Sequence, residues 1–112
     1  MLGWNITVST QTPQERDLNV IHSREDSILA SWSVGIGGLN WVSELQRSGK
    51  AEELLGGGYP CRYVIRAADV LPLLADGPPA GGSTIHSSWM HPERMAACRD
   101  DQMLTVDAWD QS

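Results

Sequence analysis

Hydrophobic and polar residues alternate along several stretches of the chain, and each of these stretches is predicted to be a β-strand. The alternation has a period of two in residues 2–8, 28–34, 59–66 and 103–109. This period places apolar side chains on one face of an extended chain and polar side chains on the other. One-sided strands are typical of antiparallel sheets, because strands of parallel sheets are usually apolar on both faces. A shorter strand is predicted at residues 18–21.

The main helix is predicted at residues 39–48, where the period changes from two to that of a helix. Leu39, Val42 and Leu45 recur at three-residue spacing, which places them on one helix face, with Trp41 beside them. Polar residues take the opposite face. We therefore expect this helix to pack on one face of the sheet.

Shorter helices are predicted near residues 67–74 and 92–98. The second has Pro92 at its first helical position, where the missing N–H leaves no hydrogen bond unmade. Residues 50–55 predict one further helical turn, whereas the polar, proline-containing residues 9–17 predict a loop.

These elements predict an α+β fold with a mainly antiparallel sheet of three to five strands. A chain of 112 residues is the usual size of one domain, so we expect a single domain over residues 1–112. The sequence has five Trp and no Phe, so the aromatic part of the core must come from indoles. Trp32 and Trp41 are predicted to be core residues.

The charge balance excludes some classes of function. The net charge is −6 and the isoelectric point is near 4.8, whereas proteins that grip nucleic-acid phosphates are usually basic. No apolar run is long enough to span a bilayer, and the first residues lack the pattern of a secretory signal. We therefore expect a cytoplasmic protein with no membrane or direct nucleic-acid partner, in which Cys61 and Cys98 are reduced.

The glycines of the turn between residues 34 and 39 are the strongest candidate for a ligand-binding motif. Gly35, Gly37 and Gly38 lie between a predicted strand and a predicted helix, where backbone amides can approach an anion. The dinucleotide-binding fingerprint requires a further glycine where Asn40 stands. A structural turn is the favoured interpretation, and a small anion held by these amides is the alternative.

Metal chemistry is not supported by residue spacing. His86, His91, Glu93 and Cys98 are the residue types that bind metals, but their spacing matches no zinc signature. We predict no metal site and no cofactor.

Catalytic chemistry has little support either. The sequence contains no nucleophile elbow, and His22 with Glu25 and Asp26 is a combination common in polar turns. We predict that the protein is not an enzyme.

Acidic residues are frequent toward the end of the sequence, where Trp89 and Trp109 also lie. A solvated surface is the simplest interpretation, but Trp is enriched at binding hot spots and acidic rims attract basic partners. The residues predicted to contact a partner are Trp89, Asp100, Asp101, Asp107, Trp109 and Asp110.

The function predicted from these properties is a non-enzymatic protein-binding module. We expect a small acidic inhibitor that occupies the surface of a larger, nucleic-acid-handling protein with a basic surface. Phage-encoded anti-CRISPR-like proteins that block bacterial defence act in this way. The alternatives are an immunity protein that neutralises a bacterial toxin, a small-ligand or enzymatic domain that uses the Gly35–Gly38 turn, and a subunit of a homo-oligomer.

Overall fold

The structure is a computed structural model that describes residues 3–18, 27–79 and 84–111, and its centre is a six-stranded antiparallel sheet. The strands are β1 (Trp4–Ser9), β2 (Ile28–Val34), β3 (Ala51–Leu55), β4 (Cys61–Arg66), β5 (Ile85–Met90) and β6 (Met103–Asp110). Their order across the sheet is β3-β4-β6-β1-β2-β5. The helices are α1 (Pro13–Leu18), α2 (Asn40–Arg47), α3 (Ala67–Val70) and α4 (Pro92–Ala96), with a 3-10 helix at Leu71–Leu74 directly after α3.

The α+β class and the antiparallel sheet are confirmed, but the sheet has more strands than the three to five predicted. The predicted helical turn at residues 50–55 is wrong, because Ala51–Leu55 is β3 and pairs with β4. Ala, Glu and Leu favour helix, and pairing with a neighbouring strand outweighs that preference. β5 completes the sheet. Of the predicted strand at residues 18–21, Leu18 ends α1 and the rest lies outside the described residues.

Helix α1 occupies part of the segment that was predicted to be a loop. The Glu15 N–H donates to Thr12 Oγ1 at 3.2 Å, and the Thr12 N–H donates to Glu15 Oε1 at 3.0 Å. This reciprocal pair is a capping box, and Pro13 follows the cap at the first helical position. Both features are visible in the sequence.

One face of the sheet carries the hydrophobic core. Strand register places apolar side chains of the inner strands on this face, and they are buried: Ile6, Val8, Ala30, Trp32, Val34, Cys61, Tyr63, Ile65, Leu104, Val106 and Ala108. Helix α2, the α3–3-10 segment and α4 pack against this face. The rings of Trp32 and Trp41 lie with their centroids 6.1 Å apart, and both side chains are buried as predicted.

The opposite face is mostly polar and is partly covered by α1. Thr7, Ser31 and Asp107 lie on it in one row across β1, β2 and β6, since directly paired residues share a face. This difference between the two faces determines where the candidate binding surfaces lie.

Candidate binding surfaces

The six residues predicted to contact a partner do not form one patch. Asp100 and Asp101 lie before β6, whereas Trp109 and Asp110 lie at its other end. β6 has eight residues, and at about 3.3 Å per residue its ends are roughly 23 Å apart. These four residues therefore form two separate groups, one at each end of this strand.

Asp107 is buried and bound to two arginines, which removes it from any exposed acidic surface. Its side chain is 2% exposed. Oδ1 accepts a hydrogen bond from Arg62 Nε at 2.6 Å, and Oδ2 accepts one from Arg16 Nε at 2.8 Å. The Arg62 and Arg16 side chains are only 4% and 11% exposed. We exclude Asp107 from the partner-binding residues on this basis.

This ionic cluster fastens the segment that contains α1 to the polar face of the sheet. Arg16 Nη1 donates to Gln11 Oε1 at 3.1 Å, and Thr105 Oγ1 donates to the Gln11 carbonyl at 2.6 Å. A buried carboxylate with two guanidinium partners has its charge compensated and its oxygen atoms hydrogen-bonded. Its role in the fold is to join α1 to β6.

Trp89 and Trp109 lie on the polar face but do not form one contact surface. Trp89 pairs with Ser31, and Trp109 pairs with Asn5, which places both indoles on this side of the sheet. Their strands are separated by β1 and β2, so three steps of about 4.8 Å put roughly 14 Å between them. Trp89 is 63% exposed, whereas Trp109 is half-buried. Asp110 is half-buried too, and its N–H donates to the Gly58 carbonyl at 2.8 Å.

The Gly35–Gly38 turn uses two of its amides within the fold. Gly35 N donates to the Thr84 carbonyl at 3.1 Å, and Gly38 N donates to the Gly35 carbonyl at 3.0 Å. A Cβ at Gly38 would lie 2.2 Å from Val34 Cγ1, so glycine is required there for the turn to pack against β2. These contacts account for two of the glycines structurally, and the anion site remains a prediction.

A groove of about 710 Å³ lies on the core side of the molecule, between the 3-10 helix and α4. Its lining is mainly apolar and includes Leu71, Leu74, Met90 and Met95, and among the described residues Asp100 is the one acidic residue that lines it. Its volume lies within the range of about 300–1,000 Å³ that is usual for ligand-binding pockets. The sequence pattern did not reveal this groove, because its walls come from two segments, residues 67–77 and 90–100, that only the fold brings together.

Exposed acidic residues stand next to lining residues of the groove along the chain, and together with Asp100 they are called its acidic rim. Asp76 and Glu93 are exposed and adjoin lining residues in the chain, and Asp101 follows Asp100. Arg99, which donates to Asp101 Oδ1 at 3.2 Å, is the exposed cation beside them, and both side chains of this pair are 79% exposed. The groove therefore combines a mainly apolar lining with acidic residues that are close to it in the chain.

The described residues offer little for catalysis or metal binding. Cys98 also lines the groove, and burial raises the pKa of its thiol, so little of it is the nucleophilic thiolate. Cys61 and Cys98 are both free. No group of three or more His, Cys, Asp or Glu within the described ranges is arranged to share a metal. His22, Glu25 and Asp26 lie outside those ranges.

Comparisons with protein-family models, with curated proteins and with solved structures return no match for this chain. In the part of the chain that the structure describes, no helix has the length and apolar character needed to cross a bilayer.

Proposed function

We propose that the protein is a non-enzymatic binding module that inhibits a larger protein by occupying its surface. The observation that carries this proposal is the apolar groove with an acidic rim, in a chain of net charge −6. The proposed occupant is a segment of a partner protein that presents an apolar side chain flanked by Lys or Arg. The apolar side chain fills the groove, and the cations lie against Asp100 and its acidic neighbours.

The energetics of such a contact come mainly from the groove. Burying one Leu or Met side chain of a partner contributes about 1.5–3 kcal/mol. The exposed acidic rim adds little affinity per charge but accelerates encounter with a basic surface, and this effect weakens as salt screens the charges. We therefore expect the binding free energy to come mainly from the apolar contact, and we expect the association rate to depend on salt.

A partner that handles nucleic acid fits this chemistry best, because such proteins carry basic surfaces that bind phosphates. An anti-CRISPR-like inhibitor and an immunity protein both belong to this class, and both would act in the cytoplasm. Expressing the chain with each kind of target separates them. An inhibitor of defence restores phage infection, whereas an immunity protein restores growth of cells that produce a toxin.

Two neighbouring alanines provide the sharpest test of the groove: one is the last residue of α4 and the other directly follows it. Ala96 and Ala97 are both exposed, but only Ala96 lines the groove. A partner is first recovered with the tagged chain and purified, and the dissociation constant is then measured by calorimetry. We expect Ala96→Trp to fill the groove and to weaken binding at least tenfold, while Ala97→Trp leaves it unchanged. Equal affinities of the two variants would exclude the groove as the binding site.

A second pair of variants tests the acidic rim. We expect Asp100→Asn to lower the association rate and to reduce its dependence on salt, because one attractive charge is removed. Glu44→Gln on α2 also removes an exposed charge, at a residue that does not line the groove, and should change neither the association rate nor its salt dependence. An association rate that does not depend on salt would contradict the charge complementarity.

A further inference from the structure

The two edges of the sheet differ in how they are protected against pairing with other strands. An unpaired edge presents free N–H and C=O groups, which proteins usually guard with charged residues or Pro. β3, at one edge, carries Glu52 and Glu53. β5, at the other edge, has the sequence IHSSWM, with no Pro, Asp, Glu, Lys or Arg. As far as the described residues show, the β5 edge is therefore the unguarded one.

The hydrogen bonds between β2 and β5 show which backbone groups point outward. His91 N donates to the Leu29 carbonyl at 3.0 Å, and the pairing continues through Ala30 with Met90. Hydrogen-bonded pairs alternate with non-hydrogen-bonded pairs in an antiparallel ladder. Trp89 therefore bonds inward to β2, whereas the N–H and C=O groups of Ser88 and Met90 point to the free edge.

These outward groups can pair with β5 of a second copy of the chain if a two-fold axis passes between the two Trp89 residues. Ser88 of each copy then lies opposite Met90 of the other, and each such pair exchanges two N–H···O bonds. The two Trp89 residues face one another in the non-hydrogen-bonded position, where Cα atoms are only about 4.5 Å apart. An axis perpendicular to the sheet keeps the polar faces of both copies on the same side.

This arrangement also accounts for the exposure of Trp89. At 63% it is the most exposed tryptophan in the described part of the chain, although it is one of the largest apolar side chains. Aromatic residues directly opposite one another across two strands stabilise the pairing. Each indole would be covered by the other in the pair of strands.

The charge distribution favours a second copy of the chain as the occupant of this edge. Two molecules of net charge −6 repel one another, and β5, which carries no Asp, Glu, Lys or Arg, is a contact strand that adds no like-charge pair to this repulsion. A basic partner would gain no charge contact from this strand. We therefore propose that the chain forms a two-fold dimer by antiparallel pairing of β5 with β5 of a second copy, centred on Trp89.

Sedimentation velocity over a range of concentrations tests the dimer. We expect the mass to rise from 12.2 kDa to twice that value, and added salt should favour the dimer because it screens repulsion between the two acidic molecules. Trp89→Lys should yield a monomer, since two ammonium groups would face each other. Leu54→Lys on the exposed β3 edge is the control and should still dimerise. A wild-type mass that stays at 12.2 kDa up to about 1 mM, or a dimeric Trp89→Lys variant, would overturn the proposal.

Cross-linking tests the register independently of affinity. In a Cys98→Ser background, Trp89→Cys should form an interchain disulfide on mild oxidation, because a Cα separation of about 4.5 Å lies within the range that disulfides span. Leu54→Cys should remain reduced under the same conditions. Cross-linking of Leu54→Cys without that of Trp89→Cys would place the contact on the wrong edge and refute it.

Discussion

Replacing Asp107 by alanine should reduce stability more than any other single loss of a carboxylate in the described part of the chain. Its two oxygens accept hydrogen bonds from Arg62 at 2.6 Å and from Arg16 at 2.8 Å, and all three side chains are at least about nine-tenths buried. The alanine variant removes the carboxylate that both of these buried guanidinium groups bind. It also releases the contact that holds α1 against β6.

The expected loss in the free energy of unfolding is about 4 kcal/mol. Removing one partner of a buried ion pair costs roughly 3–5 kcal/mol, because the remaining charge is uncompensated. Arg16 is 11% exposed and can turn toward water, so the value should not reach the upper limit. A domain of this size is stable by only about 5–15 kcal/mol, so the variant should be close to unfolding at physiological temperature.

Urea unfolding followed by tryptophan fluorescence measures this change, since Trp32 and Trp41 lie in the core. Asp101→Ala is the matched control. Its pair with Arg99 is 79% exposed on both sides, and removing it should change stability by no more than about 0.5 kcal/mol.

Combining Asp107→Ala with Arg62→Ala should cost less than the sum of the two single changes, because both single changes remove the same Arg62–Asp107 contact. If Asp107→Ala were as mild as the Asp101→Ala control, or if the double variant were simply additive, the ionic cluster would not have the role assigned to it.

Two further predictions concern the core and the glycine turn. Burial raises the pKa of the Tyr63 phenol above its usual value. The unfolded chain therefore loses this proton from about pH 10 while the folded chain retains it, and stability falls as the pH rises further. Tyr63→Phe should reduce this loss of stability between pH 9 and 11, as measured by urea unfolding. Tyr59→Phe, at an exposed site, should leave the loss unchanged. Identical pH profiles for the two variants would contradict the role of Tyr63. Gly38→Ala should destabilise the fold by about 1–3 kcal/mol, because its Cβ would collide with Val34. Gly56→Ala, whose Cβ would meet nothing closer than 3.7 Å, should be neutral or slightly stabilising, and a thermal melt showing equal losses would count against the close packing of the turn.

The elements that could be predicted from the sequence are those with a strong local pattern. Alternation predicted β1, β2, β4 and β6, with ends that differ from the observed ones by at most two residues. The spacing of Leu39, Val42 and Leu45 predicted α2. Edge strands have weaker patterns, because only part of their surface is buried. β3 consists of good helix formers and β5 shows no alternation, so their strand conformation depends on pairing with β4 and β2.

The binding surfaces were less predictable than the fold, because they depend on contacts between distant residues. Asp107 is the same residue type as the exposed Asp100, and nothing local shows that its partners Arg62 and Arg16 are 45 and 91 residues away. The groove is likewise formed by helices that are separate in the sequence. Capping at Thr12 and Glu15 is the opposite case, since this local signal was present and predicts α1.

The position of β6 has a consequence for how the protein is made. β6 lies between β4 and β1, so the β3–β4 pair and the β1–β2–β5 group belong to one sheet only through it. It is also the last of the six strands to be synthesised. A nascent chain on the ribosome can form two partial sheets, but it cannot close the core between them until residues 103–110 have left the exit tunnel. Folding is therefore completed only after nearly all of this sequence has been translated. A chain that stops before Met103 would lack the strand that joins the two partial sheets, and we expect cellular proteases to degrade it.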